Sequence, residues 1–243
     1  MTVPPTTPAP GAAPMPVTAP TAGGAPQRAL GPGARFRRIG GGLSLIASGV
    51  LVCGSRVVIP YENRTDAEHL QTGADHTAEV LWAAVLLHYG YLLLLPAALT
   101  LVHLARRRAR RLSLVAMVLA GLGAGLSGTV AVDLYDVALA DELPADQALH
   151  VLEVAGGYGQ GALIAAPSVL GLAVGTNLAV LAAWWARAIP VHPVALGAVG
   201  WVVFTFSAGD AWLPSISTAL VAAATTWAGV IVLRMRDDVW DRI

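Results

Sequence analysis

Lysine is absent from these 243 residues, so all 15 basic side chains are arginine. That excludes a retinal or other Schiff-base lysine and the lysine of a phosphate-binding loop. Charge is scarce altogether: 12% of residues are charged, where a soluble domain carries about a quarter. The 15 acids cancel the 15 bases, so there is no general attraction to nucleic acid, and no basic face with interleaved aromatics lies outside the apolar runs. One cysteine, Cys53, excludes an intrachain disulfide. No G-x-S-x-G nucleophile motif occurs.

What is abundant is apolar surface: 56% hydrophobic residues and a mean hydropathy of +0.64, the composition of a chain that belongs in a bilayer. Residues 1–34 hold nine of the 16 prolines and no apolar periodicity, which predicts a disordered cytoplasmic tail. Arg28 near its end and Arg35, Arg37 and Arg38 just after it precede the first apolar run, the order of an uncleaved helix and not of a secretory signal. Six apolar segments then predict an all-α, six-helix transmembrane bundle: Ile39–Ile59, Ala78–Leu104, Leu112–Val132, Gly161–Ala186, Val191–Gly209 and Ala211–Leu233. About 20 helical residues cross a hydrocarbon core of about 30 Å. The fifth segment is the shortest, begins with His192 and Pro193, and has a re-entrant piece as its alternative.

Thirteen of the 15 arginines fall on one side of these spans and only Arg56 and Arg64 on the other, while 12 of the 15 acids fall on that other side. The positive-inside rule then puts both termini in the cytoplasm after an even number of crossings. The Ala, Gly, Pro and Arg bias suggests a bacterial plasma membrane. The RRRARR run, with Arg106, Arg107, Arg108, Arg110 and Arg111, marks the cytoplasmic side and suits anionic lipid head groups at about 1 kcal/mol per charge.

Small residues at four-residue spacing, such as Gly121 and Gly125 or Gly171 and Gly175, predict close helix packing. Gly123, Gly125 and Gly128 satisfy G-x-G-x-x-G but follow no strand, so a dinucleotide site is excluded. GGYGQG at 156–161 lacks the Thr-Val pair of a potassium filter and reads as an unwound entry to the fourth span.

Ionisable side chains at membrane depth carry the functional expectation. Arg56 lies just below the outer surface and should seek a carboxylate, the candidates being Glu79, Asp133, Asp136 and Asp210. His88 is the deepest titratable group, with Tyr91 on the same face. His150, Glu153, Gly157 and Gln160 form a stripe expected to face into the bundle. Arg56, His88, Asp133, Asp136, Glu153 and Gln160 are therefore expected to bound an outward-facing polar cavity for a small polar ligand, ion or proton. The bland readings are wet interface acids and a histidine hydrogen-bonded in packing. The loop TDAEHLQTGADHTAE could bring His69 and His76 onto one helical face, but at a spacing that matches no metal signature. Paired haem ligands are lacking, so no cofactor is expected. Transport is the first use such a cavity suggests. A non-catalytic scaffold or accessory subunit, working as a homo-oligomer or with a membrane partner, is the competing class, and a membrane enzyme comes third.

Overall fold

The computed structural model describes residues 32–59, 65–206 and 212–242, a few side chains within them excepted, Asp133 and Gln160 included. All regular structure among these residues is helical. Helix α1 spans Pro32–Val58, α2 Asp66–Asp75, α3 Thr77–Ala105, α4 Arg110–Ala124 and α5 Leu126–Glu142. Then come α6 over Ala145–Gly156 and α7 over Gln160–Leu170, a π-turn at Gly171–Gly175 and α8 over Thr176–Trp185. Helix α9 covers His192–Thr205, α10 Leu213–Arg234 and α11 Asp237–Arg242. The predicted tail lies outside the described residues except for Pro32–Ala34, which open α1.

Five helical stretches are long and apolar enough to cross a membrane: Pro32–Val58, Thr77–Ala105, Arg110–Glu142, Ala165–Trp185 and Leu213–Arg234. The expected sixth, at 191–209, does not reach that length. Helix α9 has 14 residues, about 21 Å at 1.5 Å per residue, and residues 207–209 lie outside the described residues. Its mean composition is as apolar as its neighbours', so length and not hydropathy sets it apart. The five apolar helices suggest a membrane location.

Helix α1 sits between α3 and α10, and both neighbours run antiparallel to it. Small residues make that possible. A Cβ on Gly41 would fall on Thr100 of α3, and one on Gly90 of α3 would meet Val52. On the other flank, Gly42 packs against Gly229 and Leu233 of α10, and Gly49 against Ala222 and Thr225. In lipid the gain from such packing is dispersion at short range, which only Gly, Ala and Ser permit. The serines of α1 return their hydroxyls to their own helix, Ser44 donating to the Gly40 carbonyl (2.8 Å) and Ser55 to that of Val52 (2.8 Å), so no donor is stranded in an apolar setting.

The expected third span is longer than its apolar run and broken once. Helices α4 and α5 meet at Gly125, and together they run from Arg110 to Glu142. Helix α4 packs against the π-turn with almost no side chain between the backbones: a Cβ on Gly171 or Gly175 would strike Leu119, Ala120 or Gly123 main-chain atoms. The widened turn is supported by its own C-terminal neighbours, since Thr176 Oγ1 donates to the Leu172 carbonyl (2.6 Å) and Asn177 Nδ2 to that of Ala173 (2.7 Å).

The bundle has a basic end, where α1 begins and α10 ends, and an acidic end carrying α2 and α6. At the basic end Arg38 is buried and ties the start of α1 to the end of α10. Its Nη1 donates to the carbonyls of Leu233 (2.7 Å) and Met235 (2.6 Å), and its Nη2 pairs with Asp237 at 3.0 Å. Arg108 likewise donates to the Ala186 carbonyl at the end of α8 (3.3 Å). Cations on the last carbonyls of a helix satisfy both the orphan acceptors and the dipole.

Candidate functional site

A cavity of about 100 Å³ lies in the middle of the bundle, walled by α1, α3, the π-turn with α8, α9 and α10. Three of these walls contribute a helical row. Ser48, Val52 and Arg56 recur every four residues on α1, Leu172, Thr176 and Val180 on the π-turn and α8, and Ser217, Val221 and Thr225 on α10. Residues four apart stack on one face of a helix, so these rows deliver a mixed lining: aliphatic surface interrupted by hydroxyls, the Tyr91 ring of α3 and one guanidinium. The π-turn forms part of the wall, in keeping with the frequent placement of such turns at functional sites. A water takes about 30 Å³ in the liquid, so the space fits about three waters or a small solute. Drug-sized ligands need about 300 Å³ or more.

Arg56 sits at the acidic end of this cavity, half-buried, one residue row beyond Val52. Its main-chain carbonyl accepts from Ser215 Oγ at 3.4 Å, which seats the start of α10 on the end of α1. No described carboxylate forms an ion pair with its guanidinium. Of the expected partners, Glu79 is exposed at the start of α3, Asp136 is engaged elsewhere, and the Asp133 side chain and Asp210 lie outside the described residues.

The structure does not bring His88, Asp136 or Glu153 to Arg56, and the side chains of Asp133 and Gln160 lie outside the described residues. His88 lies on α3 but faces α5, where its Nδ1 contacts the Ser127 carbonyl at 2.8 Å, just past the break at Gly125. Asp136, on α5, pairs with His69 Nε2 of α2 at 3.3 Å and so holds the acidic-end helix against the bundle. Asp133 shares α5 with it. Glu153 and His150 are exposed on α6, and α6 ends at Gly156. The stripe expected to continue through Gly157 to Gln160 is therefore interrupted by an unwound stretch, and its α6 members His150 and Glu153 do not point into the bundle. Tyr91 does line the cavity, one turn along α3 from His88.

The hydroxyl rows were the missed element. Ser217 reads in sequence as an ordinary small residue, yet it is buried and lines the cavity. Its signal was the four-residue spacing of Ser217, Val221 and Thr225, which matches that of Ser48, Val52 and Arg56.

The loop tested for metal does form a helix. Thr65 caps α2 through a reciprocal pair with Glu68, each contact 3.2 Å. His76 ends that helix, however, and does not join His69 on its face. Among the described residues no group of three His, Cys, Asp or Glu side chains is placed to hold a metal ion. No protein-family model, curated protein or solved structure matches this chain.

Proposed function

We propose that the chain is a multi-pass membrane protein that binds a small polar or anionic solute in the central cavity, with transport as the use of that binding. The observation that carries this reading is the convergence of Arg56 and the hydroxyl rows of α1, α8 and α10 on one cavity beside a π-turn. A guanidinium held among apolar helices without a described carboxylate partner is suited to an external anion. The hydroxyl oxygens of Ser48, Thr176 and Thr225, whose protons go to carbonyls of their own helices, can accept from a solute that carries donors. On this reading α9 completes a sixth crossing, the basic end faces the cytoplasm of a bacterial cell, and the cavity takes its ligand from the acidic end.

The test is a thermal-shift screen of the detergent-purified protein against small carboxylates, phosphate and halides. At least one anion should raise the unfolding midpoint, and Arg56→Gln should weaken that ligand by about tenfold or more, the worth of one charge-assisted hydrogen bond. If no anion gives a shift, or if Arg56→Gln binds as the parent does, the cavity reading fails. The competing scaffold reading would draw on Gly121, whose Cβ position is open to the outside; Gly171 and Gly175 are already used inside the bundle.

A further inference from the structure

A second concavity, separate from the central cavity, lies at the basic end between the start of α1 and the second half of α3. Its volume is about 380 Å³. Gly40 and Gly41 of α1 form one wall and Pro96, Leu99 and Thr100 of α3 the other. His103 and Trp240 close its deep side, their rings stacked at 4.4 Å with an interplanar angle of 24°. Trp240 is 2% exposed and is brought there by α11, which the Arg38–Asp237 pair fixes. Phe36 and Leu99, 76% and 44% exposed, form the rim.

Two neighbouring arginines divide their roles here. Successive helical residues are turned by about 100°, so Arg38 reaches α10 while Arg37 lines the groove. Arg37 is exposed, and no described carboxylate pairs with it. The groove thus has a cation and a tryptophan at its basic end and runs along α1 from Phe36 to Ser44, about 12 Å, between apolar walls. Gly40 leaves it open, since nothing lies within 4 Å of its Cβ position.

We infer that this groove holds an acidic phospholipid, its phosphate on Arg37 and one acyl chain laid between α1 and α3. The charge of the groove end, the tryptophan ring behind it and the length of apolar wall in line with it fit a lipid molecule, whereas a free phosphate would use only the arginine. The inference requires a membrane location and is independent of the central cavity.

Native mass spectrometry of the full chain in mild detergent, with phosphatidylglycerol or phosphatidylcholine added in equal amounts, tests it. The parent should retain phosphatidylglycerol about fivefold better, the equivalent of one interfacial charge. Arg37→Gln should bring the two lipids level. Gly40→Leu should reduce retention of both, because its side chain enters the acyl path from a Cβ position with no neighbour within 4 Å. Circular dichroism matching the parent checks that each variant is folded, and Arg37→Gln, at an exposed position, serves alone if Gly40→Leu is not. Equal retention of the two lipids by the parent overturns the inference. So does a preference that survives Arg37→Gln but disappears in Arg110→Gln/Arg111→Gln, which would move the lipid to the RRRARR run.

Discussion

Three arginines of the basic end sit in three different environments. Arg38 is 9% exposed and spends its guanidinium on the carbonyls of α10 and on Asp237. Removing it leaves two partly buried carbonyls and a carboxylate without their donor, so Arg38→Ala should lower the stability of the detergent-solubilised protein by about 2 kcal/mol in chemical denaturation. Arg37, one residue earlier, should be nearly silent in the same assay. Arg187 ends α8 in the left-handed region, with φ at 60°, where it lets Ala188 N donate back to Ala183 (2.9 Å). A Cβ there costs about 1 kcal/mol and glycine's added chain entropy returns part of that, so Arg187→Gly should stabilise by about 0.5 kcal/mol. The His69–Asp136 contact is of another kind. The histidine side chain is 38% exposed, and His69→Ala should change stability by less than about 1 kcal/mol.

Glycines of one helix differ as much as the arginines do. On α4, Gly123 abuts the main chain of Leu172, while nothing lies near the Cβ position of Gly121. Their spacing in sequence is shared; only the neighbour on the far side of the contact distinguishes them. Gly175→Val should therefore cost about 3 kcal/mol, because backbone atoms of α4 must separate from the π-turn to admit it. Gly121→Ala should be neutral or gain up to about 1 kcal/mol through helix propensity. Thermal unfolding of the pair of variants checks both signs. The third and fourth spans were thus legible in position but not in extent or form. Apolar length marked out 112–132 and 161–186, yet the break at Gly125 and the π-turn depend on how α4 and the π-turn fit each other.

At the scale of the molecule, small residues are inside and large ones outside. Ala116, Ala120, Ala179, Ala183 and Ala228 are fully buried, whereas Leu43, Val50, Leu92, Val118 and Val202 are exposed. An aqueous surface would not tolerate so extensive an apolar exterior, and lipid would. The basic and acidic ends lie at opposite poles of the helices, so single cysteines at Asp75 and at Arg108, introduced with Cys53→Ala, should react with an impermeant maleimide from opposite faces of the membrane. Labelling of both from one side of intact cells would rule out this threading.

Hydropathy, helical period and arginine placement settled on their own that the chain is helical, where its long apolar helices run and which ends carry which charge. These are properties of each segment against its solvent, and they need no neighbour. The choice of which polar groups meet was made by tertiary packing. Arg56 and Ser217 lie 161 positions apart and share one cavity, while His88 and Tyr91, one turn apart, face different partners. Such placement follows from the rotation of each helix about its axis, which is fixed by the close glycine contacts with its neighbours and which no single segment contains.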